Sequence, residues 1–284
     1  MGTQPGQGAL SAVSARPAAP REPDWPTRVY RFADKTLMIV ELEIWKLRRD
    51  PTELVTRAIQ PMLWLLLFGE VFSHIRAIPT GNLPYLDFMA PGILAQSVLF
   101  VAIFYGISAI WERDLGVIHK LLVTPTPRPA LILGKALSAG VRGLSQAVII
   151  YVLALVLGVR INWSPLAIGG VLVLVLIGAA LFSTFSLIIA TIVKTRERFM
   201  GIGQVLTMPL FFASNAIYPI SIMPGWLQAI SRVNPLSYEV DGMRALMLSG
   251  GTSAFGLSID FAVLIVITGV LVALAGRLYP HLVT

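Results

Sequence analysis

The sequence predicts an all-α integral membrane protein with six transmembrane helices, and three observations carry that expectation. Residues 88–111 run 24 positions without a formal charge, and the uncharged runs 161–193 and 199–231 are longer still. A 24-residue helix rises about 36 Å at ~1.5 Å per residue, enough to cross a ~30 Å hydrocarbon core. The chain is 56% hydrophobic and only 13% charged, about half the charged share of a soluble domain, with a mean hydropathy of +0.76. Its 284 residues suffice for one helical bundle and leave little for a second domain.

Taken in order, residues 1–27 are rich in Pro, Gly, Ala and Ser and lack the apolar run of a signal peptide. They predict a disordered cytoplasmic tail ahead of a single membrane-spanning domain, 28–284. Over 30–49, Ala33, Leu37, Val40, Ile44 and Leu47 recur at three- and four-residue steps, opposite Asp34, Glu41 and Arg48. That spacing predicts an amphipathic helix lying along the membrane surface, stopped by Asp50-Pro51. The six spans then fall near 54–73, 85–110, 130–158, 165–190, 199–218 and 256–276. Arg57 stands close to the start of the first, where its stem can snorkel to the interface.

The basic residues choose the orientation. Nine lie between Arg16 and Arg57, four between the second and third spans, three between the fourth and fifth, and Arg277 follows the sixth. That places seventeen on one face against four on the other, Arg76, Arg160, Arg232 and Arg244. The positive-inside rule puts both termini in the cytoplasm of a multi-pass cell-membrane protein. The net charge of +7 therefore reports orientation and implies no nucleic-acid partner. Cysteine is absent and the three histidines are scattered, which removes disulfides, thiolate chemistry and Cys or His metal clusters.

Two segments between the spans carry most of the information. Glu112, Arg113 and Asp114 end the second span, and Leu115, Ile118 and Leu122 follow at helical spacing up to Thr124-Pro125. This predicts a short cytoplasmic helix whose acids sit at its positive dipole end and face basic groups on a partner. A plain connection between helices is only about two to eight residues long. Residues 215–248 are apolar but interrupted by Pro219, Pro224 and Pro235. Broken backbone at membrane depth has to be covered by protein or line a cavity. Two short re-entrant helices before the last span are expected, with Trp226 and Tyr238 near the interface.

These segments also carry a resemblance. Glu112-Arg113-Asp114-x-Gly116, with Leu121-Leu122-Val123-Thr124-Pro125 and then Gly134-Lys135, resembles the cytoplasmic motif of type-2 ATP-binding-cassette exporter permeases. Pro224-x-Trp226-Leu227 and Asn234-Pro235-Leu236-Ser237-Tyr238, followed by Asp241-x-x-Arg244, look like that family's final motif. The daunorubicin-resistance and nodulation-factor permeases are the most similar subgroup, over residues 30–280. The resemblance implies a homodimer or heterodimer of permeases in membrane lipid, docked on separate ATPase subunits that bind ATP and Mg. Glu112, Arg113, Asp114, Gly116, Leu121, Thr124 and Pro125 would couple to the ATPase. Pro224, Trp226, Asn234, Pro235, Tyr238, Asp241 and Arg244 would form the external re-entrant motif. His119 stands where the family often carries an acid.

The chain itself is expected to hold no cofactor and to hydrolyse no ATP. Leu248-Ser249-Gly250-Gly251 mimics an ATPase signature but falls on the external side, and no G-x-x-x-x-G-K-[ST] loop occurs. An intramembrane hydrolase lacks a histidine base within the spans. An ion-coupled carrier calls for intramembrane carboxylates, of which Asp260 alone comes near and needs no special role. Glu70 and Arg142 are charges set against apolar spans, each either functional or a structural partner. The few polar groups within the spans, Gln96, Ser97, Gln146 and Gln204 among them, suit an amphipathic or lipid-linked substrate better than a strongly charged one, and leave drugs, lipo-oligosaccharides and polysaccharides all open.

Overall fold

The computed structural model describes residues 41, 45, 49, 51–75, 78–81, 83–115, 128–193 and 195–278. Among them the chain is helical, with one isolated antiparallel bridge between Ile161 and Leu248. Of the expected surface helix, residues 41, 45 and 49 are described, all helical, with the Arg49 guanidinium 5.4 Å from the Trp45 ring centroid. The tail at 1–27 and the stretch 116–127, which includes Gly116, Leu121, Thr124 and Pro125, lie outside the described residues.

Helix α1 spans Pro51–Leu63, a π-helical turn follows at Trp64–Gly69, and α2 completes the run at Glu70–Ile75. The expected first span is thus helical throughout, with a wider turn in its middle. Pro61 lies inside α1, where it lacks an N–H and its ring crowds the preceding turn, and the wider π turn absorbs the strain. Helices α3 (Tyr85–Asp114), α4 (Arg128–Val156), α5 (Pro165–Ile192) and α9 (Leu257–Leu278) are long. All four, α4 from Gly134 onward, are apolar enough to cross a bilayer. Helix α6 (Arg196–Phe212) is shorter than expected. Its 17 residues rise about 26 Å, and the chain leaves the helix at Ala213 rather than near 218. Two short helices, α7 (Gly225–Val233) and α8 (Pro235–Met247), then precede α9, at the positions expected of the re-entrant pair.

Helices α3 and α5 form the centre and pack on each other more extensively than any other pair. Both are apolar on every side, as a helix surrounded by helices requires. Small residues bring them close: the buried Ser186 hydroxyl donates to the Ile103 carbonyl across the contact. Gly92 lets α3 approach the segment after α6, since a Cβ there would stand 2.7 Å from the Ala216 Cα. The main core joins Met89, Ile93, Leu99, Leu174, Phe182, Leu236 and Met243, and a smaller one joins Ile110, Leu187, Phe199 and Ala275 at the other end. The exterior is apolar as well: α1 and the π turn after it expose Leu63, Leu66 and Leu67, α4 exposes Val148, Val152 and Val156, and α9 exposes Ile265, Val266 and Val270. So much outward apolar surface on three helices is what a hydrocarbon solvent selects.

Candidate functional site

Polar side chains gather at the two ends of α3. At one end Glu112, Arg113 and Asp114 form its last turn. This corrects the expectation that they open a separate helix: α3 runs on to Asp114, so the acids stand at the negative end of a helix dipole and need compensation. The chain supplies it. The Lys135 ammonium of α4 donates to Glu112, with Lys135 largely buried. Arg196, at the start of α6, donates to Asp114 at 2.8 Å, and Arg113 binds the same carboxylate at 3.0 Å. The Arg196 guanidinium also lies 3.6 Å from the Trp111 ring centroid, a cation–π contact. One helical turn of α3 is thereby tied to α4 and α6 by charge.

At the opposite end the final motif resolves into a set of backbone-satisfying contacts. Pro224 precedes α7, and its carbonyl accepts from the Leu227 and Gln228 amides. Asn234 caps α8: its side-chain oxygen accepts from the Leu236 amide at 3.0 Å, and Pro235 fills the first helical position. The same carboxamide donates to the Leu210 carbonyl at 2.7 Å, in the last turn of α6. The Tyr238 hydroxyl donates to the Arg232 carbonyl at 2.6 Å, and its ring packs 4.7 Å from that of Phe255. Trp226 is 67% exposed and lies on one stripe of α7 with the exposed Ile230 and Val233, an apolar face without a protein partner among the described residues.

Asp241 and Arg244, three residues apart, serve different neighbours rather than each other. The Arg244 guanidinium, 6% exposed, donates to the Asn215 carbonyl at 2.7 Å and to the Phe88 carbonyl at 3.3 and 3.4 Å. It also lies 3.7 Å from the Phe88 ring centroid. Asp241 accepts from the Phe255 amide at 3.0 Å and the Ser253 hydroxyl at 2.9 Å, holding the approach to α9. Beside them Asp87, buried at the start of α3, accepts from Arg160 at 2.9 Å. The 157–164 turn is further laced to the end of α8 by Asn162 to Met247 and Ser249 to Arg160 backbone bonds.

Several participants were not singled out in the sequence. Glu239 is fully buried, and a side chain at Gly178 of α5 would collide with its carboxylate. Asp260, expected to need no role, is fully buried and shares Ser253 with Asp241, at 2.8 Å. Glu239, Asp241 and Asp260 are thus three carboxylates buried within the protein. Lone acids inside apolar runs give no sign in sequence of which neighbours will enclose them. Arg142 is half-buried with its guanidinium 5.5 Å from the Tyr105 ring centroid, and Glu70 is exposed at the start of α2. Among the described residues no cluster of His, Asp and Glu has the makings of a metal site.

Fold and site together define a multi-pass helical membrane protein, with a charged clasp at one end and a packed, proline-broken cap at the other. The chain belongs to the ABC-2 type transporter family, whose membrane-domain model matches residues 35–248. It is 31% identical over 220 residues to a protein of Cyanophora paradoxa named transport permease ycf38, covering 76% of this chain and 74% of that one. It is 30% identical over 206 residues to the daunorubicin resistance ABC transporter permease protein DrrB1 of Streptomyces coeruleorubidus, covering 72% and 71%. The inner membrane transport permease YadH of Escherichia coli K12 is 24% identical over 254 residues, covering 85% and 87%. The chain is accordingly a membrane permease subunit of an ATP-binding-cassette transporter, and its family implies an ATPase partner.

Proposed function

We propose that this permease moves an amphipathic, lipid-linked or glycan substrate outward, as a homodimer or heterodimer in the cell membrane, powered by ATP and Mg bound to a separate ATPase. Six crossings complete the bundle: the 51–75 run and α6 act as the first and fifth spans beside the four long helices. Both termini face the cytoplasm, as the seventeen-to-four division of basic residues requires. Helices α7 and α8 re-enter the outer leaflet, the exposed stripe of Trp226, Ile230 and Val233 facing lipid.

One observation carries the mechanism. Helix α3 is one continuous helix of 30 residues with Pro91 within it, about 45 Å long, whose two ends make the two polar clusters. A push on its Glu112–Asp114 turn, clasped to α4 and α6, tilts a body whose far end, at Asp87 and Phe88, holds Arg160 and Arg244. Nucleotide-driven closure of the ATPase pair thereby biases a two-state arrangement at the outer cap. Glu112, Arg113 and Asp114 act here by transmitting motion within the chain, while 116–125 supplies the surface that meets the ATPase.

An ion-coupled carrier would share the buried carboxylates at 239, 241 and 260. Two of these are engaged in holding the start of α9, which favours a structural use. The deciding experiment is affinity purification of the tagged chain from its native membranes in mild detergent. An ATPase subunit in equal amount, with ATP turnover in the eluate and none from the chain alone, supports the exporter. Transport that persists without nucleotide and collapses when ion gradients are dissipated supports the carrier.

A further inference from the structure

The start of α9 is held to α8 by two acids and one hydroxyl. Ser253 Oγ lies 2.9 Å from an oxygen of Asp241 and 2.8 Å from an oxygen of Asp260, and it accepts from the Gly256 amide at 2.7 Å. A serine hydroxyl has a single proton to donate, so it serves one of the two acids. The other contact is a hydrogen bond only when that acid brings its own proton. Asp241 is the acceptor: the same oxygen takes the Phe255 amide at 3.0 Å, and Arg244, one turn on, interacts with its charge. Asp260 is then the donor, through the chain Asp260 to Ser253 to Asp241. Its second oxygen, buried without a partner, is the carbonyl oxygen of a neutral acid.

Glu239 sets the same requirement independently. It is fully buried at Gly178 of α5, and neither of its carboxyl oxygens has a hydrogen-bond partner. An ionised carboxylate so enclosed would forfeit its hydration with nothing in exchange. The helices packed on this contact bring few groups of their own. Helix α5 has no titratable residue. Helix α3 brings Tyr85 and Asp87, the latter bonded to Arg160, and α4 brings Tyr151, with Arg128, Lys135 and Arg142 toward its other end. Helix α7 brings Arg232, and α8 itself Tyr238 and Arg244, whose guanidinium is spent on the Asn215 and Phe88 carbonyls. Arg277 lies at the far end of α9. Among the described residues none of these bonds Glu239 or Asp260.

We propose that α8 and the start of α9 form a proton-dependent latch in the outer cap: Glu239 and Asp260 hold protons while the two helices are packed together and release them when the contact opens to water. A carboxyl group in water ionises near pH ~4, so opening at neutral pH sheds both protons. The closed form binds more protons than the open one. By linkage, opening is opposed as pH falls and favoured as it rises. That the pH which matters is the external one rests on the topology proposed above, whereas the latch itself needs neither nucleotide nor a partner.

Hydrogen exchange reads the latch through the Phe255 and Gly256 amides, which Asp241 and Ser253 hold. The full chain with its co-purifying ATPase, without nucleotide, is placed in phosphatidylcholine nanodiscs. The parent and a Glu239→Gln, Asp260→Asn double variant are compared at each pH, so the intrinsic pH dependence of exchange cancels. In mildly acidic buffer the two should exchange alike. In mildly alkaline buffer the parent should exchange severalfold faster, because its acids ionise and the amides of the variant do not. Rates that agree at both pH values would overturn the latch. Infrared spectroscopy of the parent decides the matter even if the variant does not fold. Its protonated-carboxyl stretch at neutral pH should shift in part with side-chain-labelled aspartate and in part with labelled glutamate, and the loss of either shift would overturn the proton count. An aspartate-sensitive band that persists in Asp260→Asn would overturn the assignment to Asp260. Absence of an ATPase from the purified material would sink the exporter reading and leave the exchange result standing.

Discussion

Arg244 of α8 donates a 2.7 Å hydrogen bond to the Asn215 carbonyl, in the stretch where the chain has already left α6. That stretch follows the early end of α6, and its carbonyls have no helical donors. Arg244 supplies them from a planar fork that also stacks on Phe88, a geometry lysine cannot reproduce. Arg244→Lys should therefore destabilise the detergent-purified protein by about 2–3 kcal/mol, read as a lowered unfolding temperature. A Lys variant as stable as the parent would show that the outer cap does not depend on this clasp.

Asn234 makes two bonds of different kinds, and substitutions separate them. Ser can keep the cap on α8 but is too short to reach the Leu210 carbonyl. Stability should fall in the order Asn, Ser, Ala, with Asn234→Ala costing about 2 kcal/mol in all, about 1 for the cap and about 1 for the lost donor. Thermal unfolding of the three proteins side by side gives the order.

The clasp at Glu112–Asp114 predicts charge-reversal rescue. Glu112→Lys sets a cation against Lys135, and Asp114→Lys sets one against Arg196 and Arg113. Each should cut nucleotide-dependent transport several-fold. Adding Lys135→Glu to the first, or Arg196→Glu to the second, should restore part of the loss. Full activity in the single variants would remove the clasp from the coupling path.

Close approach at Gly92 is tested by a single methyl. Gly92→Ala places a Cβ against the Ala216 backbone, where neither helix nor turn can yield cheaply, and should cost about 1–3 kcal/mol. Gly169→Ala in α5 meets nothing within 4 Å and should be neutral or stabilising by up to about 1 kcal/mol. Equal stabilities would contradict the packing of α3 on the segment after α6.

What was legible in the sequence follows from what each residue can signal alone. Long apolar stretches announced α3, α4, α5 and α9 because a bilayer imposes length and apolarity on a crossing helix. Pro224 and Pro235 announced the breaks at which α7 and α8 begin because proline's effect on a helix is local. The partners of charges were not legible. Lys135 and Arg196 lie 23 and 82 residues from Glu112 and Asp114, and only the packing of α4 and α6 on α3 brings them together. For the same reason Asp260 looked like a helix-end acid until Ser253 and Asp241 closed around it. The early end of α6 depends on tertiary contacts that propensity does not encode.

The most direct measurement follows the outer cap while the partner binds nucleotide. The chain has no cysteine, so Ile230→Cys on α7 and Pro79→Cys in the exposed α2–α3 connection report cleanly on a membrane-impermeant thiol reagent added outside. In the permease–ATPase complex without nucleotide, position 230 should react slowly and position 79 fast. With ATP and Mg, labelling at 230 should accelerate severalfold while 79 stays unchanged. Fast labelling at 230 in both states, or a rate indifferent to nucleotide, would contradict an ATP-driven permease gated at this cap.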